Sequence, residues 1–181
     1  MKKINEIFYS LQGEGFHTGT PSVFVRFSGC NLKCGFCDTA HESGSLMTDE
    51  EIVEETNKYS CRTVILTGGE PGLWIDKKLL DLLHQAGKYI CIETNGTCKL
   101  PESIDWVTCS PKEGTEIKAG HIDEVKVVYT GQDVTKYLKL PAKHYFLQPC
   151  SCSNTQQVIG YILEHPEWRL SLQTHKLVNI Q

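Results

Sequence analysis

The chain has 181 residues, 40% of them hydrophobic and 22% charged, with a net charge of −4 and a pI near 6.0. That length predicts one domain over residues 1–181 with a sizeable core, and the acidic balance offers no basic footprint for nucleic acid. No apolar run is long enough for a membrane span, and nine cysteines, an odd count, argue for thiols or metal in a reducing compartment, so the expected location is the cytoplasm.

At the N-terminus, Met1-Lys2-Lys3-Ile4-Asn5-Glu6 turns polar too soon for a secretory signal. Ile4 to Leu11 is mixed in character and runs into Gln12-Gly13-Glu14-Gly15. Two glycines flanking a carboxylate read as a turn, or as a loop whose backbone approaches a ligand. Val23 to Ser28 alternates and predicts the first core strand. Arg26 within it needs an acid or an anionic ligand to face it, or else a surface edge. The stretch Gly29-Cys30-Asn31-Leu32-Lys33-Cys34-Gly35-Phe36-Cys37-Asp38-Thr39 then sets three thiols at C-x3-C-x2-C spacing. Three protein ligands leave a metal position open, whereas a closed structural site takes four. The spacing differs from ferredoxin-type runs and from zinc ribbons. A structural zinc site with His41 as fourth ligand is the non-enzymatic alternative, although C-x3-C-x2-C-x3-H matches no common finger.

Thr48 and Glu51 form a capping box that predicts a helix to about Tyr59. Thr63 to Thr67 is a short strand that breaks into Gly68-Gly69-Glu70-Pro71-Gly72. A helix from about Asp76 to Ala86 turns Leu79, Leu80, Leu82 and Leu83 inward, and Gly87 closes it. Strands follow at Tyr89 to Ile92, Trp106 to Cys109, Val125 to Tyr129, Tyr145 to Leu147 and Arg169 to Leu172. Helices are expected near Val134 to Lys139 and from Thr155 to Glu164. The strand ends carry Glu93-Thr94-Asn95-Gly96-Thr97, Ser110-Pro111-Lys112, Gln148-Pro149-Cys150-Ser151 and Gln173-Thr174-His175-Lys176. Strands that end in polar or glycine-rich segments predict an α/β fold with its site at the carboxyl edge of a parallel sheet. Six or seven strands in this length are too few for a closed eightfold barrel. The expected architecture is a partial, open βα barrel with abbreviated helical crossovers. Glu93 and Asn95 are candidates for a nucleoside ribose. Cys61, Cys91, Cys98 and Cys109 read as free thiols, and Cys150 and Cys152 lack partners for a second cluster.

The cysteine spacing resembles the radical S-adenosylmethionine (SAM) superfamily, and Gly68-Gly69-Glu70-Pro71 resembles its GGEP motif. Leu11 to Gly15, Arg26, Cys37-Asp38-Thr39, Thr67 to Pro71, Glu93 to Gly96, Ser110-Pro111-Lys112, Gln148-Pro149 and Gln173 to Lys176 together resemble the 7-carboxy-7-deazaguanine synthase family over nearly the whole chain. The resemblance implies a radical SAM fold and a [4Fe-4S] cluster on Cys30, Cys34 and Cys37. Its open iron would chelate SAM, and one-electron reduction would release a 5′-deoxyadenosyl radical. It further implies SAM contacts at Gly69, Ser110, Pro111, Lys112, Gln148, Pro149, Cys150 and Ser151, with Phe36 against the adenine. A pterin substrate would meet Leu11, Gln12, Gly13, Glu14, Arg26, Thr67, His175 and Gln181, with Arg26 pairing the substrate carboxylate bidentately. Thr39 would bind Mg²⁺, which takes six hard oxygens, so substrate oxygens and waters must complete its shell. The implied reaction contracts 6-carboxy-5,6,7,8-tetrahydropterin to 7-carboxy-7-deazaguanine with loss of ammonia, toward 7-deazapurines such as queuosine. The implied assembly is a homodimer served by an electron donor such as flavodoxin or ferredoxin. The enzymatic alternative is an activating enzyme that sets a glycyl radical on a partner protein; nothing in Leu11 to Gly15 or Gln173 to Lys176 calls for such a substrate.

Overall fold

Nine strands and four α-helices account for the chain, which the computed structural model describes from Met1 to Gln181. The strands are β1 (Lys2–Leu11), β2 (Pro21–Phe27), β3 (Ser45–Met47), β4 (Thr63–Gly68), β5 (Tyr89–Thr94), β6 (Trp106–Cys109), β7 (Glu124–Tyr129), β8 (His144–Pro149) and β9 (Arg169–Leu170). The helices are α1 (Asp49–Asn57), α2 (Lys77–Gln85), α3 (Thr155–Glu164) and α4 (Thr174–Leu177). One sheet orders the strands β3-β1-β2-β4-β5-β6-β7-β8-β9. From β2 to β9 every pairing is parallel, while β1 lies antiparallel between β2 and β3. The two ends of the sheet do not pair, so the barrel is partial and open, as expected.

The convex face is apolar. Val23, Val25, Phe27, Val64, Leu66, Ile90, Ile92, Val107, Val125, Val127 and Leu147 pack there against Ile52 of α1, the leucines of α2 and Val158 of α3. Leu79, Leu80 and Leu83 are fully buried, each stabilising the fold by about 1.5–3 kcal/mol, whereas Leu82 is only half-buried. The capping box of α1 is the one read from sequence, whereas Asp76, expected as the first residue of α2, is its cap. Thr48 and Glu51 form the capping box of α1, and Asp76 caps α2 by accepting from the Leu79 amide at 3.0 Å. Lys2, buried on β1, pairs with both Asp49 and Asp76 and so fastens the edge of the sheet to the starts of two helices.

Two expectations change. The segment near Val134 to Lys139 is a 3₁₀ turn, Thr135–Lys139, rather than an α-helix, because no side chain caps it and it is only five residues long. The strand count rises to nine because Lys2–Leu11 and Ser45–Met47 also pair. The register of β1 slips between Ile4 and Glu6, a bulge that moves later side chains to the opposite face and hides the alternation. Crossovers β5–β6 and β6–β7 contain no helix, which is the abbreviation expected.

Candidate active site at the carboxyl edge of the sheet

The concave face carries a second, smaller apolar cluster near the strand starts, formed by Phe24, Ile65, Cys91 and Trp106, with Phe8 stacked on Phe24. Two residues further along, the same face turns polar. Arg26 pairs in register with Thr67, Glu93 with Thr108, and Thr108 with Glu124, while Lys126 and Gln148 follow on β7 and β8. The β1–β2 loop folds into this concavity. Phe16 stacks on Trp106 and His144, with ring centroids 4.8 and 4.5 Å apart, and plugs the lower end. What remains is one cavity of about 1080 Å³ opening at the strand ends.

Every residue expected at cluster, SAM or substrate lines this cavity, with one exception. Cys30, Cys34, Cys37 and Thr39 come from the cysteine loop, and Gly69 from the end of β4. Ser110, Lys112, Gln148, Pro149, Cys150 and Ser151 come from later strand ends. Leu11, Gln12, Gly13, Glu14, Arg26, Thr67, His175 and Gln181 complete the wall. Pro111 is buried beside it and lines a small adjoining hollow with Phe36, Lys112 and Val128.

The cysteine loop is held from three sides. The Trp74 indole donates to the Ser28 carbonyl at 2.7 Å, and the Glu70 amide donates to the Gly29 carbonyl at 2.9 Å. Asn95 donates to Asn31 Oδ1 at 3.0 Å and lies 3.9 Å from the Cys30 sulfur, to which the Leu32 amide also donates at 3.4 Å. N–H donors facing a sulfur suit a thiolate that ligates iron. All three thiols are free, and they open onto the cavity. Three free thiols beside the cavity, with N–H donors at the Cys30 sulfur, form a donor set suited to a [4Fe-4S] cluster. Gly69 explains the double glycine. A Cβ there would fall 2.0 Å from the Gly29 carbonyl oxygen, so only glycine lets the two loops touch. Glu70 is a buried brace: it accepts from Thr94 Oγ1 at 2.7 Å, the Asn95 amide at 2.7 Å and the Gly72 amide at 2.8 Å.

Opposite lies a charge cluster that sequence reading did not anticipate. Lys126, buried on β7, sits 2.8 Å from Glu14 and 2.8 Å from Glu93. Burial opposes the ionised form of Glu14, yet the Lys126 charge and hydrogen bonds from Lys126 and Gln173 outweigh it and hold the carboxyl below its ordinary range. Burial and the nearby Glu14 charge push Glu93 the other way. Glu93 also accepts from Gln12 Nε2 at 3.1 Å, while Asn95 ties the end of β5 to the cysteine loop. Arg26 has its acid: Glu6 Oε1 accepts from its Nε at 2.7 Å. Glu6 also accepts from the Gln181 side chain at 2.8 Å, which draws the chain end to the cavity rim. His175 packs over the β1–β2 loop so closely that a Cβ on Gly13 would lie 2.1 Å from its Nδ1.

Comparison with known proteins matches this arrangement. A profile of the radical SAM superfamily covers residues 24–147. The 7-carboxy-7-deazaguanine synthase of Bacteroides thetaiotaomicron is 69% identical over the full length of both chains. The chain belongs to the 7-carboxy-7-deazaguanine synthase family. The synthase of Burkholderia multivorans, 40% identical over 98% of each chain, is a more distant relative. The crystal structure of QueE from Escherichia coli superposes with a TM-score of 0.79 at 29% identity, covering 94% of this chain and 93% of that one. As a radical SAM enzyme, a synthase of this family uses a [4Fe-4S] cluster and SAM. No helix is long and apolar enough to cross a membrane.

Proposed function

We propose that this enzyme contracts 6-carboxy-5,6,7,8-tetrahydropterin to 7-carboxy-7-deazaguanine with loss of ammonia, as one radical SAM domain over residues 1–181. The observation that carries the reading is the convergence of three segments on one cavity: the cysteine loop, Gly68 to Pro71, and Leu11 to Glu14 beside Arg26. Cys30, Cys34 and Cys37 would hold the [4Fe-4S] cluster, which, once reduced by the electron carrier, would supply the electron for reductive cleavage of SAM. Gly69, Ser110, Pro111, Lys112, Gln148, Pro149, Cys150 and Ser151 hold SAM. The protein's remaining work is to bind, orient and shield the pterin. Arg26 takes the substrate carboxylate. Because Glu6 holds its Nε, both Nη groups are left to face the ligand bidentately. Gln12, Glu14 and Glu93 offer acceptors for the N–H edge of the ring, with Lys126 keeping two carboxylates together inside a partly dry site. Leu11, Gly13, Thr67, His175 and Gln181 close around the ring.

Thr39 provides one neutral oxygen for Mg²⁺, so the ion enters with substrate, whose oxygens and waters fill the rest of the shell. We place the working enzyme in the cytoplasm as a homodimer, reduced by a small electron carrier such as flavodoxin or ferredoxin. Two experiments test these assignments. Magnesium titrated into the substrate-free protein binds weakly and tightens when the pterin is present; tight binding without pterin contradicts the shared shell. The enzyme selects the 6-carboxylated pterin over its decarboxylated analogue, and Arg26→Lys loses most of that selection because a point charge replaces the planar fork. Equal turnover of both pterins by the unaltered enzyme contradicts the reading.

A further inference from the structure

The buried side chain of Gln173 touches three parts of the cavity wall. Its Nε2 donates to Glu14 Oε1 at 2.9 Å on the β1–β2 loop and to Asp38 Oδ2 at 3.1 Å on the cysteine loop. Its Oε1 accepts from Lys176 Nζ at 2.9 Å, and that ammonium reaches Asp38 Oδ2 at 2.6 Å. Neighbours strengthen the tie. The Thr174 amide and hydroxyl donate to the Gly13 carbonyl at 2.9 and 3.0 Å, while Gln148 Nε2 meets Glu14 Oε1 at 3.1 Å. The segment after β9 is therefore a strap from the loop beside the pterin to the loop that carries Cys37 and Thr39.

An amide suits this junction better than any charged group. It offers two donors and an acceptor on one planar end without adding charge between two carboxylates and a lysine. We propose that Gln173 is a positioning residue for the ring contraction, its amide setting the separation between the pterin loop at Glu14 and the cysteine loop at Asp38. The inference rests on the reading of the substrate given above. Its physical basis is that reacting groups held by two different loops are productive only at near-attack spacing, where about 1 Å of misplacement costs about 100-fold in rate. The Thr174 hydroxyl to Gly13 and Lys176 to Asp38 contacts still tether the strap when the Gln173 amide is lost, so its removal loosens the spacing, and with it the Thr174 amide's hold on Gly13, without unfolding the strap.

The test compares the unaltered enzyme with Gln173→Glu, which keeps shape but sets a third carboxylate against Glu14 and Asp38, and with Gln173→Leu, which removes all three hydrogen bonds. Each is checked for its melting temperature and for about four irons per chain. KM and kcat for the pterin are then measured, together with amide exchange at Thr174 in the iron-free chain. The expected result is a folded, iron-loaded Gln173→Glu enzyme with kcat lowered by about 100-fold, pterin KM raised by about tenfold and Thr174 exchange accelerated, with Gln173→Leu intermediate. Normal KM and kcat in either folded, iron-loaded variant would overturn the proposal, as would a loss that merely tracks the fraction of protein that folds. If the unaltered enzyme makes no carboxydeazaguanine, the substrate reading fails instead. Thr174 exchange then decides the tie on its own: faster exchange supports it and unchanged exchange overturns it.

Discussion

The acidic residues around the concavity meet burial in two ways, and each way gives a prediction. Glu14 and Glu93 share Lys126, and a buried charge without a partner is costly. Lys126→Met leaves two carboxylates facing each other in a partly dry site. It is expected to destabilise the fold by about 3–5 kcal/mol at pH 8, read by urea unfolding. A loss under about 1 kcal/mol would mean that water already screens the pair. Glu124 lacks such a partner. It is 1% exposed, its Oε2 accepts from the Phe16 amide at 3.0 Å, and its Oε1 has no partner. Burial pushes its pKa up to about 7, from an ordinary 4.5, despite the nearby Lys126. Between those values the folded chain holds more proton than the unfolded one, so this group's contribution to stability declines as pH rises from 4.5 through 7. Glu124→Gln, a neutral isostere, is expected to match the unaltered chain near pH 5. At pH 8 it should exceed it by up to about 3 kcal/mol. Melting curves at the two pH values check this, and a stability difference independent of pH would contradict it. At this scale Arg26 was legible, because a charge on a core strand needs an acid, and Glu6 is there. Lys126 and Gln173 were not. Glu124, Lys126 and Val128 share one face of β7, and that run of two charges inside a core strand was the available signal for Lys126. Gln173 becomes meaningful only once three distant segments meet.

At the scale of elements, contributions to stability and to the site separate cleanly. The Thr48 cap serves only its helix, so Thr48→Ala should cost about 1 kcal/mol and leave turnover unchanged. Gly69 serves the site. Gly69→Ala sets a Cβ against the Gly29 carbonyl and must shift the cysteine loop. It is expected to lower iron retention and to weaken SAM binding by at least about tenfold, equivalent to about 1.4 kcal/mol, with a smaller effect on the melting temperature. Iron quantitation and a SAM titration decide between loop displacement and tolerance. Elements with clean boundaries were readable from sequence: Trp106–Cys109 and Thr155–Glu164 fall where expected, and both ends of each are marked by polar or turn residues. The edge strand Lys2–Leu11 was hidden by its bulge, and the short 135–139 turn imitated a helix because Val134, Tyr137 and Leu138 follow helical spacing.

For the whole molecule, the parallel order and the location of the site followed from strands that each end in a polar segment, since a parallel sheet gathers those ends along one edge. The antiparallel edge and the plugging of the concavity by the β1–β2 loop were not legible, because both depend on contacts between residues far apart in the chain, such as Phe16 with Trp106. That loop gives the cavity its character. It closes the apolar end and brings Gln12 and Glu14 up to face the cysteines across one space. The account's central claim is that this space holds a carboxylated pterin beside SAM. The direct measurement is an anaerobic incubation of the iron-loaded enzyme with SAM, a reductant and 6-carboxy-5,6,7,8-tetrahydropterin, read by mass spectrometry and ammonia release. Formation of 7-carboxy-7-deazaguanine with matching ammonia is the predicted result; release of 5′-deoxyadenosine with the pterin recovered unchanged would contradict it.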